Sequence, residues 1–264
     1  MSIIKVNSIL DEYKVRASFS DPNEMSGRSS NRALTEYILN NISQYLYDIS
    51  GILVDIGCGD GSLFAITQSK KNCKFEKSVG ILPSQEECDR VTNELKKFNS
   101  EILIKKGVSC DLPCPDNYAN AVVINGVILI LKDKEEVIRS IKEIHRISNP
   151  SAIAYFGEVP FVNEMEKVTY GESIMGWLFH VLMNKGLYQF FLKSLYVLQC
   201  IFTKKTLIIR PKNPLLWFRV SEFEGILESC GFQIVKSKQH KEIDAFGKVN
   251  LSKTRWNYIA KVLK

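Results

Sequence analysis

From Ile52 to Phe64 the chain reads ILVDIGCGDGSLF: an apolar run carrying one carboxylate, then glycines at 57, 59 and 61. An apolar run stopped by glycine reads as a buried strand, and the SLFAITQS that follows reads as a helix start. Glycines at such a turn adopt backbone conformations closed to other residues and let a second group approach the main chain. The N–H groups of the turn, with the helix behind them, suit a negatively charged or polar ligand group. A dinucleotide site wants Gly-x-Gly-x-x-Gly; here the third glycine comes one position early, at Gly61. Asp55 stands ahead of the first glycine, where it would repel a pyrophosphate and attract an ammonium group.

The alternation of strand and helix continues along the chain. SVGIL is a second strand, and PSQEECDRVTNELKKF a helix in which Ser84 and Glu87 form a capping box. EILIKKG and ANAVVINGVI are the third and fourth strands. DKEEVIRSIKEIHRIS is a helix with Val137, Ile138, Ile141 and Ile144 on one face, and AIAYFGEV is the fifth strand. After an interruption, VSEFEGILESCG is a helix ended by Gly231, and FQIVKSKQH and RWNYIAKVL are two closing strands. This order predicts an α/β fold, a doubly wound and mostly parallel sheet with helices on both faces. Ligands of such sheets sit at the carboxyl ends of the strands, which is where the glycine turn falls.

A length of 264 residues suits one α/β domain with an insertion. Seven cysteines without a CxxC pair, beside three histidines, point to reduced thiols in a cytoplasmic protein and to no metal site. Lys5, Asp11, Glu12, Lys14 and Arg16 interrupt the first stretch, so no secretory signal is expected there. The net charge of +6 is uneven: residues 1–159 hold 19 Lys/Arg against 21 Asp/Glu, and residues 160–264 hold 16 against 8. A basic half points either to an anionic partner or to a solvated lysine-rich face.

The stretch LVDIGCGDGSL resembles the first motif of class I S-adenosylmethionine-dependent methyltransferases of the type 11 style. LPCPDNYANAVVINGVILIL is similar to the family's segment running from the third loop through the fourth strand. The resemblance covers roughly residues 50–160 and the closing helix and strands. It implies a Rossmann-like, seven-stranded sheet whose last strand is antiparallel, with S-adenosyl-L-methionine as cofactor. On that basis Asp55, Gly57, Cys58, Gly59 and Gly61 would cradle the methionine part, and Asp60 would support the loop. Ser109 and Cys110 would meet the adenine, largely through backbone, and Asn125 and Gly126 would line the side where the methyl group leaves. The implied layout is a single methyltransferase domain over 1–264. Within it, residues 1–50 would form an N-terminal helical cap and residues 160–214 a helical insertion or lid over the substrate side.

Two family carboxylates are missing. Leu82 stands where the family places the acid that holds the ribose hydroxyls, and Val108 where an aspartate receives the adenine amino group; Asp111 is a stand-in three residues later. Methyl transfer to a hydroxyl needs its proton removed, usually by His, Asp or Glu. Some relatives carry a histidine pair after the fourth strand, and here Leu129 and Ile130 occupy that place. Glu158, ending the fifth strand, is the first candidate base, with His180 and His240 as alternatives. The (D/N)PPY signature of base-amine methylation is absent, since Asn125 is followed by Gly-Val-Ile, so no nucleic acid partner is expected.

The insertion holds the substrate signals. Its segment IMGWLFHVLMNKGLYQFFLKSLYVLQCIFTKK is strongly apolar, yet His180, Lys185 and Lys193 keep any uncharged run below the ~18–20 residues of a membrane span. Leu187, Phe190, Phe191, Leu195, Leu198 and Phe202 follow helical spacing, which suits core packing or a helical lid. The sharper alternative is a lid resting on a membrane surface, with Lys204 and Lys205 near phosphates. Arg210, Lys212 and Trp217 suit a sugar or phosphate, and the arrangement loosely resembles methyltransferases of surface-polysaccharide pathways. The function expected is therefore O-methylation of a sugar, glycan or lipid-linked saccharide, in the cytoplasm or at the inner membrane surface. Two rivals remain: a lapsed methyltransferase fold serving as a binding module, and a nicotinamide-dependent oxidoreductase.

Overall fold

The computed structural model describes residues 3–5, 15, 32–96, 101–161, 174–202, 207–209, 216–243 and 248–264. The chain divides into two compact units, Met1–Phe19 with Glu164–Pro214, and Ser20–Asn163 with Leu215–Lys264.

The larger unit is built on a seven-stranded sheet of β2 (Ser50–Ile56), β3 (Lys74–Leu82), β4 (Glu101–Lys106), β5 (Ala119–Asn125), β6 (Ser148–Pro160), β8 (Phe232–Ile243) and β9 (Val249–Val262). Its order is β4-β3-β2-β5-β6-β9-β8. The first five strands of that order run parallel, and β9 is antiparallel to both β6 and β8. Val54, Ile56, Val122, Ile124 and Phe156 pack into one hydrophobic layer. Leu53, Ala121, Val123 and Tyr155, at the alternate positions, pack into the other. Burial on both faces explains why these strands read as continuous apolar runs.

On the second face lie α1 (Arg32–Ser43), α2 (Ser62–Ser69) and α3 (Gln85–Leu95), which contribute Leu39, Phe64 and Val91. The first face is covered by α4 (Lys134–Ile147) and α6 (Val220–Ser229) through Val137, Ile141, Ile144 and Phe223. The expected cap of α3 is present. The Ser84 hydroxyl accepts from the Glu87 N–H at 3.3 Å and donates to the Glu87 carboxylate at 2.8 Å.

In the smaller unit, the described residues form β1 (Ile3–Lys5), β7 (Leu207–Ile209) and a long helix, α5 (Ile174–Phe202). β1 pairs in parallel with β7. The stretch 1–50, expected as a helical cap, thus supplies a strand as well as α1. Its beginning is tied to residues of the expected insertion by a ladder of backbone hydrogen bonds, which the short run Ile3–Lys5 did not advertise. α5 breaks at Gly186, whose φ of 81° and ψ of 172° are not helical. Core packing does not describe its second half: Leu187, Phe191, Leu195, Leu198 and Phe202 are all exposed.

Candidate functional site

Strand register brings the ends of β2, β3, β5 and β6 to one edge of the sheet. Ile56 lies beside Ile81 and Ile124, Leu82 beside Lys106, and Asn125 beside Gly157. The glycine turn, the loop after β4, the turn after β5 and Glu158 therefore emerge together, as expected for a ligand site in an open parallel sheet.

The turn after β2 is left-handed at all three glycines, with φ of 73° at Gly57, 60° at Gly59 and 75° at Gly61. Side chains other than hydrogen are disfavoured there by roughly 1–2 kcal/mol. Gly57 N–H donates to Ile81 O at 2.9 Å, Gly61 N–H to Cys58 O at 3.0 Å, and Ser62 N–H to Asp60 Oδ1 at 3.1 Å. Asp60 thus supports the start of α2. Cys58 turns inward and is buried; a Cβ on Gly80 would sit 2.6 Å from its sulfur. Asp55 is buried at the strand end, 5% exposed.

At the end of β3, Leu82 is 3% exposed and packs in the same layer as Phe64, Cys88 and Val91. The nearest carboxylate along the chain, Glu86 aside, is the buried Glu87, whose pKa is raised by burial and held in check by its bonds to Ser84. The loop after β4 is fastened by a clamp that sequence reasoning missed. Arg146 Nε and Nη2 grip both oxygens of Glu143 at 2.8 Å, while Nη1 donates to Cys114 O at 2.9 Å and Nη2 to Leu112 O at 3.1 Å. Nη1 also donates to Asp116 at 2.6 Å, and Glu143 accepts from Leu112 N–H at 3.0 Å. The Arg146 guanidinium holds the Glu143 carboxyl below its usual range. A Glu–Arg pair three apart near a helix end was visible in sequence; its loop partners were not. The Ser109 hydroxyl is buried against Ser140 Oγ at 2.8 Å, Cys110 Sγ lies 3.9 Å from Glu136, and Asp111 is exposed.

At the ends of β5 and β6, Asn125 Nδ2 donates to Glu158 Oε1 at 2.9 Å. The register of β6 against β9 slips between Phe156 and Val159, and Glu158 sits in this bulge with φ of 55°. Its N–H donates to Asn257 Oδ1 at 3.0 Å, and that oxygen also lies 3.2 Å from Nδ1 of the buried His240. A non-glycine residue held at positive φ by cross-strand partners is a feature of functional sites. Of the two alternative bases, His240 thus joins the edge through Asn257, and His180 lies on α5 with its side chain outside the described residues. Arg210 and Lys212 also lie outside them. Trp217 is half-buried, next to Phe218, whose N–H donates to Pro160 O at 3.2 Å. Among the described residues no cluster of His, Cys, Asp or Glu could hold a metal ion.

The profile of the methyltransferase domain family matches residues 54–156. Similar solved structures include an S-adenosylmethionine-dependent methyltransferase of Methanosarcina mazei, 20% identical with a TM-score of 0.52, covering 84% of this chain and 97% of that one. A putative methyltransferase of Haloferax volcanii, solved in complex with a methyltransferase activator, is 12% identical with a TM-score of 0.60, covering 96% and 98%. An S-adenosylmethionine-dependent methyltransferase of Mesorhizobium loti is 14% identical with a TM-score of 0.54, covering 84% and 96%. No curated protein matches the chain in sequence.

The cofactor these comparisons imply is S-adenosylmethionine. The residues at the expected methionine end would suit it: Asp55 is buried one residue before the end of β2, and the glycine turn is left-handed at Gly57, Gly59 and Gly61. Where the resemblance expects an acid for the ribose, the chain has Leu82, which is buried.

Proposed function

We propose that the chain is a methyltransferase of the family whose model matches residues 54–156, and that it methylates a hydroxyl group of a sugar, glycan or lipid-linked saccharide, with Glu158 as the base. The observation that supports the reading best is the Asn125–Glu158 hydrogen bond at the ligand edge, beside the Gly126 turn.

In this reading Asp55 receives the ammonium group of the cofactor, and the Gly57–Gly61 turn passes close to its carboxylate. Bound S-adenosylmethionine supplies a methyl group already activated by a sulfonium, so alignment of the acceptor accounts for much of the rate. Asn125 orients the Glu158 carboxylate by donating to one oxygen, leaving the other to take the proton of the acceptor hydroxyl. The bulge keeps Glu158 from relaxing into the strand, since Asn257 holds its backbone N–H. Trp217 offers a flat apolar face of the kind that packs on sugar rings.

The test is calorimetric titration with S-adenosylhomocysteine, paired with transfer of labelled methyl groups to saccharide and lipid-linked saccharide fractions. Glu158→Gln is expected to bind S-adenosylhomocysteine as the parent does and to lose ~10²–10⁴-fold in transfer rate. Equal transfer by this variant rules Glu158 out as the base. The burial of Leu82 favours one second reading, a fold that has lost its cofactor and serves as a binding module. No heat of binding for S-adenosylhomocysteine in the parent protein would establish that reading instead.

A further inference from the structure

We propose that α5 is an interfacial helix that seats the protein on an anionic phospholipid bilayer. In the half before Gly186, Met175, Phe179 and Met183 stand four residues apart on one exposed ladder. Beyond the break a second exposed set follows, Leu187, Phe191, Leu195, Leu198 and Phe202, with Leu187 75% exposed and Phe202 83% exposed. Leu178 and Val181 are buried before the break and Val197 after it. Exposed apolar side chains this numerous on both halves are far more than isolated surface hydrophobics explain, and they mark a surface that meets something apolar.

Geometry and charge choose the occupant. At ~1.5 Å per residue the halves 174–185 and 187–202 are about 18 and about 24 Å long, short of the ~30 Å hydrocarbon core. Among the described residues no helix is long and apolar enough to cross a membrane. The halves are therefore suited to lie in the interface plane, with these exposed apolar side chains turned toward the acyl chains. Tyr188 and Tyr196, both exposed on α5, belong to the residue types that favour the headgroup level. Between residues 174 and 214 the sequence holds Lys185, Lys193, Lys204, Lys205, Arg210 and Lys212 and no acidic residue. A second copy docked on this face would set like charges against one another, whereas anionic headgroups would neutralise them.

The test is sedimentation of the full chain with vesicles of phosphatidylglycerol and phosphatidylcholine, and with vesicles of phosphatidylcholine alone. Binding is expected to the mixed vesicles at low salt, with at least tenfold less to the neutral ones. Raising salt should release much of the protein, because the charge attraction is screened over about 8–10 Å at ordinary ionic strength. The double variant Phe179→Ser with Phe191→Ser alters two exposed positions, so it should keep its thermal midpoint and bind at least tenfold more weakly; Lys193→Glu should weaken binding less. The proposal is overturned by absence of sedimentation with mixed vesicles at low salt. It is equally overturned by full binding of the double variant, or by self-association that the double variant abolishes without any vesicle binding.

Discussion

Cγ2 of Val127 fills the space that a Cβ on Gly57 would need, so the turn after β2 and the turn after β5 meet with no side chain on one of them. Gly57→Ala therefore meets two obstacles, a left-handed φ and a collision with Val127. Each costs roughly 1–3 kcal/mol. The variant should melt several degrees lower and lose measurable affinity for S-adenosylhomocysteine. Adding Val127→Ala should recover part of the melting temperature, since it removes the collision and leaves the φ strain. Complete recovery would mean that backbone conformation at 57 is unimportant.

Asp55→Asn keeps the size of a buried side chain and removes its charge. A hydrogen bond to a charged group is worth ~1.5–3 kcal/mol, which corresponds to a loss of about one to two powers of ten in affinity for S-adenosylhomocysteine. Calorimetry on the folded variant measures it. Undiminished affinity would move the ammonium group away from Asp55.

Leu82→Asp would put a carboxylate where the resemblance expects one. Because Leu82 is 3% exposed among apolar neighbours, the new charge would be buried without a partner. The expected result is a marked loss of stability in thermal melts, with no gain in cofactor affinity. A variant that melts like the parent and binds more tightly would place this side chain on the ligand face.

Acid should loosen the loop after β4. The Glu143 carboxyl titrates below its usual range because Arg146 and the Leu112 N–H favour its charged form. An ordinary unfolded glutamate titrates near ~4.3, so the stabilisation from the clamp is complete above that value and is lost as pH falls through the lowered one. Glu87 has the opposite sign, since burial raises its pKa and favours protonation in the folded chain. The difference in melting temperature between the parent and Glu143→Gln isolates the clamp. It should be full near neutrality and shrink below about pH 4; a gap constant down to pH 3 would contradict it.

The sheet was legible because local signals agreed. Val122 and Ile124 sit in an unbroken apolar run and Val54 and Ile56 in one interrupted only by Asp55, Ser84 announces a helix start, and Gly231, with φ of 86°, announces an end. The turn at Gly57, Gly59 and Gly61 was legible for the same reason, because the left-handed backbone that glycine permits is a local property. What the chain hides is what distant segments do to one another. Nothing near Glu158 in sequence says that Asn257, 99 residues away, will hold its N–H. Arg146 looks like one more basic residue closing a helix until Cys114 and Leu112, 32 and 34 residues earlier, present their carbonyls to it. The apolar periodicity after Gly186 was read correctly as helical, but periodicity records which residues share a face and not whether that face is covered.

The central place of β2 also has a bearing on how the molecule is made. Its partner β5 follows only after β3 and β4, with Leu53 registered against Ala121, whereas β8 and β9 adjoin in sequence and meet at Ile243 and Val249. Closing the longer loop costs more chain entropy before any contact rewards it. On a ribosome, the edge of β2 that faces β5 keeps its backbone N–H and C=O groups unpaired until β5 has emerged, a nascent-chain liability next to the glycine turn. In refolding from denaturant, pulsed hydrogen exchange should find β8 and β9 protected ahead of Leu53–Ile56. Earlier protection of Leu53–Ile56 would show that β2 and β3 condense without waiting for β5.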